Sequence, residues 1–272
     1  MHRLGGFDGA ARYARGRREG PQKERQALNF PAETLALSAA IVAAAYFVFG
    51  LTGFGSTVVA LPLLVLLFPL KFAVSLLMLL DLAVLLLFGL RLRRGMRLDE
   101  IAWLVPFMLA GMAVGLTVLV EAPERPLLIT LGIFLLCYAA WGLLRRGRPP
   151  VLARAWCAPI GLVGGAFSAL FGTGGVLFAI YNAGRLTQAA ELRANNAAMI
   201  LLSSSLRLVL FGAVGLLSQD ALLPTALTLA PALVLGFWLG GRLHARVPAS
   251  AVVKAVYALL VIAGLTLLAR SL

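Results

Sequence analysis

One spacing pattern occurs twice in this chain, each time inside a long apolar run. Pro106-x4-Gly111-x3-Gly115, followed by Pro123, returns as Pro231-x4-Gly236-x3-Gly240, followed by Pro248, with every position displaced by 125 residues. A glycine-rich break precedes each copy, Gly53-Phe54-Gly55-Ser56 in the first half and Gly172-Thr173-Gly174-Gly175 in the second. Duplicated apolar segments, interrupted at matching places, point to two related sets of membrane helices with a site between them, the layout of a transporter.

Composition supports that constraint. Of the 272 residues 61% are hydrophobic and 13% charged, whereas a soluble domain carries roughly 45–50% apolar and about 25% charged residues. The length accommodates about eight to ten spans of roughly 20 residues. The net charge of +13 does not imply nucleic acid. Its Lys and Arg residues stand in short runs between apolar stretches, as in cytoplasmic loops.

Redox and metal chemistry find little support. Cys137 and Cys157 lie in or beside apolar segments without a CxxC pair, and the only histidines are His2 and His244. That set is too sparse for a His-based metal site, so no cofactor or metal is expected.

Residues 1–33 read as a basic, disordered tail, with Arg12, Arg15, Arg17, Arg18, Lys23 and Arg25 and no apolar run. A first transmembrane repeat is expected over 34–148 and a second over 149–272. The first has apolar runs at Thr34–Thr52, Gly55–Leu70, Phe72–Leu90, Ile101–Val120 and Leu127–Leu144. The second has them at Ala153–Phe171, Gly175–Ala183, Ala194–Leu217, Ala221–Leu243 and Ala251–Leu268. The second run of each half is short for a crossing, which suggests a re-entrant or broken hairpin around the glycines. Irregular backbone of that kind persists at membrane depth only where protein or water covers it.

Loop charge supplies orientation. Arg91, Arg93, Arg94 and Arg97 make one loop basic, and its counterpart at 215–220 has no basic residue. The next loop reverses the bias, because Glu121–Arg125 is weakly acidic while its counterpart holds Arg242, His244 and Arg246. Since Lys and Arg mark the cytoplasmic side, the two repeats are expected to insert upside down relative to each other. The joining loop with Arg145, Arg146, Arg148 and Arg154 is then cytoplasmic. A hairpin over 34–70 would place the basic tail outside; a cytoplasmic tail requires an odd number of crossings there.

Three groups of residues are candidates for function. The glycine breaks, with Ser56, Thr57 and Thr173, free backbone amides and leave helix N-termini that favour an anion; the alternative is close packing alone. Asn196, Ile200, Ser203 and Arg207 are spaced by four, three and four residues and share one helix face, with Asn195 adjoining. An arginine that deep in an apolar run faces a partner or a water-filled cavity, or else snorkels. Asp81, alone in Phe72–Leu90, either pairs with Arg207 or takes up a proton during coupling. Gly111/Gly115 and Gly236/Gly240 read as packing seams, and Trp103, Trp141, Trp156 and Trp238 as interfacial anchors.

These motifs resemble the TauE/SafE family of sulfite and organosulfonate transporters over about Thr34 to Leu272. The resemblance rests on Gly53-Phe54-Gly55-Ser56 with Leu61-Pro62-Leu63, on Leu170-Phe171-Gly172-Thr173-Gly174-Gly175, and on the duplication. It departs from the family where Tyr181 and Asn182 stand in place of a proline. Asn195-Asn196, with Val74-Ser75 in the first half, replace Thr-Ser. The resemblance implies a small sulfur-containing or organic anion as cargo: sulfite, sulfoacetate or a related sulfonate.

The expected protein is therefore an all-α, polytopic bundle in a bacterial inner membrane, built of two inverted repeats with glycine-broken first helices. Its expected role is that of a secondary transporter, not an enzyme, with a small anion and the lipid bilayer as partners. No Gly-x4-Gly-Lys-Ser/Thr loop is present to drive transport by nucleotide. A membrane scaffold without cargo is the alternative.

Overall fold

The structure is a computed structural model that describes residues 30–52, 55–88, 96–144, 151–243 and 249–271. Among these, every regular element is a helix, as lipid requires of a chain whose backbone must satisfy its own hydrogen bonds. In the first half α1 spans Ala32–Thr52, α2 Ser56–Leu64, α3 Leu70–Phe88, α4 Leu98–Glu121 and α5 Glu124–Leu144. A 3-10 turn at Arg154–Trp156 leads into α6 Cys157–Phe171, α7 Gly174–Arg185, α8 Ala189–Ala213, α9 Leu222–Leu243 and α10 Ala249–Ser271. Seven of the described helical segments are long and apolar enough to cross a bilayer.

The helix boundaries follow local backbone chemistry as well as apolarity. Gly55 and Gly172 take φ of 90° and 71°, and Gly215 takes 75°. These left-handed values are open to glycine at little cost, and they fall immediately before α2, immediately after α6 and two residues past the end of α8. The helix α8 differs most from its apolar run. It starts five residues before Ala194, because the polar Glu191 and Arg193 are good helix formers, and it stops before Gly215.

Two seams organise the packing. On α4, a Cβ at Gly111 or Gly115 would collide with the carbonyl oxygens of Leu162 and Ala166 on α6. On α9, a Cβ at Gly236 or Gly240 would collide with the carbonyl oxygens of Ala43 and Phe47 on α1. The fourth helix of each half thus lies backbone-to-backbone on the first helix of the other half. The complementary faces are also small: Gly165 meets Met108, and Gly50 meets Phe237. Such closeness gains dispersion energy where the hydrophobic effect gives helices no reason to associate. The fifth helices, α5 and α10, also meet, with Gly132 against Gly264. In the space these seams enclose, the short α2 and α7 approach α3 and α8.

Gly53 falls outside the described residues, as do Arg91, Arg93, Arg94, Arg145, Arg146, Arg148, His244 and Arg246. Trp103, Trp141, Trp156 and Trp238 are all exposed. Cys137 and Cys157 are free thiols, the first exposed and the second buried.

Candidate anion-binding site

The two glycine turns come together on one cavity. Its walls include Gly55, Ser56 and Thr57 from the first turn, Gly172, Thr173 and Gly175 from the second, and Ser203, Ser204 and Arg207 from α8. Asp81 on α3 completes the polar lining, with Phe49, Val58, Val176 and Ile200 as its apolar part. The volume open to the centre of a water-sized group is ≈ 20 Å³.

Asp81 organises one side. Its Oδ1 accepts hydrogen bonds from the Tyr46 hydroxyl at 2.7 Å and the Ser56 hydroxyl at 2.9 Å, and its Oδ2 accepts from the Thr57 hydroxyl at 2.7 Å. One carboxylate therefore ties α1 and the start of α2 to α3. The Arg207 Nη2 lies 3.9 Å from Asp81 Oδ2, within Coulomb reach but beyond hydrogen-bond distance. That nitrogen donates instead to Ser204 Oγ at 3.4 Å.

Arg207 is only 2% exposed, and its Nε and Nη1 have no hydrogen-bond partner, nor does the buried Thr173 hydroxyl. A buried polar group without a partner costs about 1–3 kcal/mol, and more when charged, so three on one cavity require an explanation. The starts of α2 and α7 carry no side-chain cap hydrogen bond, and their positive ends add to the field of Arg207. Gly172 sets the spacing, since a Cβ there would lie 2.7 Å from both Arg207 Nη1 and Thr57 Cγ2. Three hydroxyls already engage the Asp81 carboxylate, so what the cavity chiefly offers an incoming group is hydrogen-bond donors. Among the described residues no cluster of His, Cys, Asp and Glu could hold a metal ion.

The family model for sulfite exporter TauE/SafE matches residues 37–267. The chain belongs to the TauE/SafE family. A curated relative, the probable inner membrane transporter protein TsaS of Comamonas testosteroni, is 31% identical over 185 residues, which are 65% of this chain and 76% of that protein. No solved structure matches the chain. It is a membrane transporter, multi-pass in the inner membrane.

The remaining sequence candidates of this TauE/SafE protein lie away from the cavity. Asn195 Oδ1 accepts from the Arg97 backbone N–H at 2.7 Å, so it holds the start of α4. Asn196 Oδ1 accepts from the Asn182 amide at 2.8 Å and links α8 to α7. Gly174 packs on Gly164 and Ser168 of α6. Tyr46 and Ser204 escaped the sequence reading, although a hydroxyl inside an apolar run was a usable signal for Tyr46. A second ionic cluster also went unforeseen. The buried Glu100 bonds to the Arg185 Nη2 at 2.6 Å, the Arg154 Nη2 at 3.2 Å and the Tyr181 hydroxyl at 2.9 Å.

Proposed function

We propose that this transporter moves a small oxyanion, sulfite or a sulfonate, bound between the two glycine turns on Arg207 and Thr173. The observation that carries the reading is the pair of unpartnered Arg207 nitrogens beside the unpartnered Thr173 hydroxyl, all buried on one cavity. An oxyanion supplies several acceptor oxygens, and the planar guanidinium recognises two of them at once. Asp81 keeps the first turn in place and compensates part of the arginine charge, so the bound anion need not be fully neutralised and can leave again.

The family supports transport of a sulfur oxyanion, and the reciprocal seams support two inverted repeats, 34–148 and 149–272. In such an arrangement the α4–α6 and α9–α1 pairs rock about the site in alternating access. The topology is tested by cysteine labelling, which should reach positions 93 and 146 from the cytoplasm and positions 121 and 219 from the opposite side. Labelling of 93 and 219 from the same side would exclude the inversion.

The site is tested by sulfite uptake into proteoliposomes, with wild type compared to Arg207→Ala at matched protein. Uptake should fall to background in the variant. Wild-type uptake by Arg207→Ala would remove the arginine from the site, and no uptake by wild type would favour a scaffold role.

A further inference from the structure

The cavity around Arg207 is closed in this structure. Thr173, Ser203 and Arg207 on its wall are each at most 4% exposed, so an anion held there reaches water only after neighbouring helices part. Polar side chains mark one route out. A turn from Ile200 toward the start of α8, the same face carries Asn196, bonded to the buried Asn182 of α7. Next to Asn182 in α7 comes Tyr181, whose hydroxyl donates to Glu100 at the start of α4. Arg185 and Arg154 bind the same carboxylate and reach solvent. Polar groups thus succeed one another from the cavity to the surface, where α4 and α8 start and α7 ends.

The contact at this place differs in kind from the glycine seams. Through Gly111 and Gly115, α4 packs tightly on α6, and its contact with α7 and α8 is slight by comparison. The bonds across that slighter contact are polar. Besides the Glu100 cluster, the Arg97 backbone N–H donates to Asn195 Oδ1, and Arg97 Nη1 lies 3.9 Å from Glu191 Oε2. Backbone packed on backbone loses its dispersion contacts outright when it parts. A charged pair whose arms already reach water loses less, because hydration replaces the partner. The left-handed Gly172 between α6 and α7 gives α7 a place to pivot.

We propose that the Glu100 cluster is the inner gate of the transporter, a latch between α4 and α7 that opens to let the anion pass between Arg207 and the cytoplasm. The proposal rests on the reading of Arg207 and Thr173 as the anion site. It also rests on the loop charges that put Arg97 and Arg154 on the cytoplasmic side. Closed, the latch holds Tyr181 and two arginines on one carboxylate. Opened, it leaves Glu100 hydrated and frees Arg185 and Arg154, whose charge favours an anion at the mouth. Glu100 acts through these partners, so it is a positioning residue and not a ligand of the cargo.

The test uses a reporter in the cavity wall, Ser203→Cys, in the full chain carrying Cys137→Ala and Cys157→Ala. Its labelling by the impermeant thiol reagent MTSET is timed in inside-out and right-side-out vesicles. Adding Glu100→Gln or Arg185→Gln should speed labelling from the cytoplasmic face by about tenfold or more, the population shift expected from losing a charged hydrogen bond. Labelling from the other face should not rise, and Arg185→Lys should restore most of the protection. No acceleration from the cytoplasmic face overturns the gate. An equal rise on both faces reduces the cluster to a packing staple and overturns it as well. A rise confined to the outer face overturns the inner assignment. A second measurement leaves the latch residues in place. Arg97→Cys and Glu191→Cys, bridged by a bismaleimide in the same cysteine-free chain, tie α4 to α8 and should bring sulfite uptake to background. Undiminished uptake after bridging overturns the gate and spares the anion site. If the unbridged protein takes up no sulfite, the anion-site reading falls, and the labelling rates alone decide the gate.

Discussion

Asp81 and Arg207 face each other at 3.9 Å without touching, because the carboxylate is occupied by the hydroxyls of Tyr46, Ser56 and Thr57. The arrangement divides labour between the two charges. Asp81 is a structural staple that stabilises the arginine through space, whereas Arg207 keeps two nitrogens, Nε and Nη1, without a hydrogen-bond partner.

Removing either charge should therefore have different consequences. Asp81→Ala strands three hydroxyls and a buried guanidinium, and is expected to cost about 3–5 kcal/mol, in line with breaking a buried pair. Asp81→Asn keeps one acceptor oxygen and should lose less. Combining Asp81→Ala with Arg207→Ala should recover part of the loss, with a coupling of about 0.5–3 kcal/mol, but not all of it, since the hydroxyls stay unpaired. Thermal unfolding of the four proteins in detergent measures the cycle. Strictly additive losses would show that the through-space pair contributes nothing.

The glycine turns give a second contrast. At Gly55 an added Cβ meets open space but must adopt φ of 90°; at Gly172 it meets both the strained φ of 71° and the Arg207 guanidinium. The left-handed conformation costs an L-residue roughly 1–2 kcal/mol. Gly55→Ala should lose about that much stability and retain measurable uptake. Gly172→Ala should pay the same strain and in addition lose anion binding by displacing Arg207. Uptake assays with both variants at equal membrane levels decide the matter, and equal activity would mean that the guanidinium position is not set by Gly172.

The seams predict a reciprocal pair of failures. Overpacking a core costs about 1–3 kcal/mol when side chains can give way, but Gly111 and Gly236 face backbone carbonyls, which cannot. Gly111→Val and Gly236→Val should each lose at least about 3 kcal/mol, one opening α4 from α6 and the other α9 from α1. A melting temperature unchanged by either substitution would contradict the backbone contact at that seam.

Much of this architecture was legible because lipid enforces it. Most apolar runs end within about a turn of a helix end, although α2 stops at Leu64, six apolar residues before its run Gly55–Leu70 does, and Gly-x3-Gly marks a close seam whatever its partner. The identity of the partner was not legible: nothing near Gly111 in sequence names Leu162, and nothing near Asp81 names Tyr46. The stripe on α8 shows the limit of periodicity. Asn196 and Arg207 share a face, but the eleven residue steps from one to the other span about 16 Å at 1.5 Å per residue. Spacing fixes the direction of a side chain, not its depth, and the cavity extends only from Arg207 to Ile200. The Glu100 cluster was hidden for the opposite reason. Its members lie at 100, 154, 181 and 185, on three separate elements, and each alone reads as a residue at a helix end.

That cluster yields the last prediction, in which the order of two losses is the test. Glu100 has 4% of its side chain exposed, whereas the side chains of Arg185 and Arg154 are 23% and 46% exposed. Glu100→Ala removes the buried charge itself and leaves two arginines that reach water and can be hydrated there. Arg185→Ala leaves the buried carboxylate with Arg154 and Tyr181 only, and an under-satisfied buried acceptor costs about 1–3 kcal/mol. Arg185→Ala should thus be the more destabilising substitution by about 1–2 kcal/mol, although it deletes the more exposed residue. Raised salt should deepen neither loss much, because the closest contact, 2.6 Å between Arg185 Nη2 and Glu100 Oε1, is shielded from ions by burial. Thermal unfolding of both variants at low and high salt reads the ranking. The reverse order would show that Glu100 is hydrated in the folded protein and that the cluster does not hold α4 to α7.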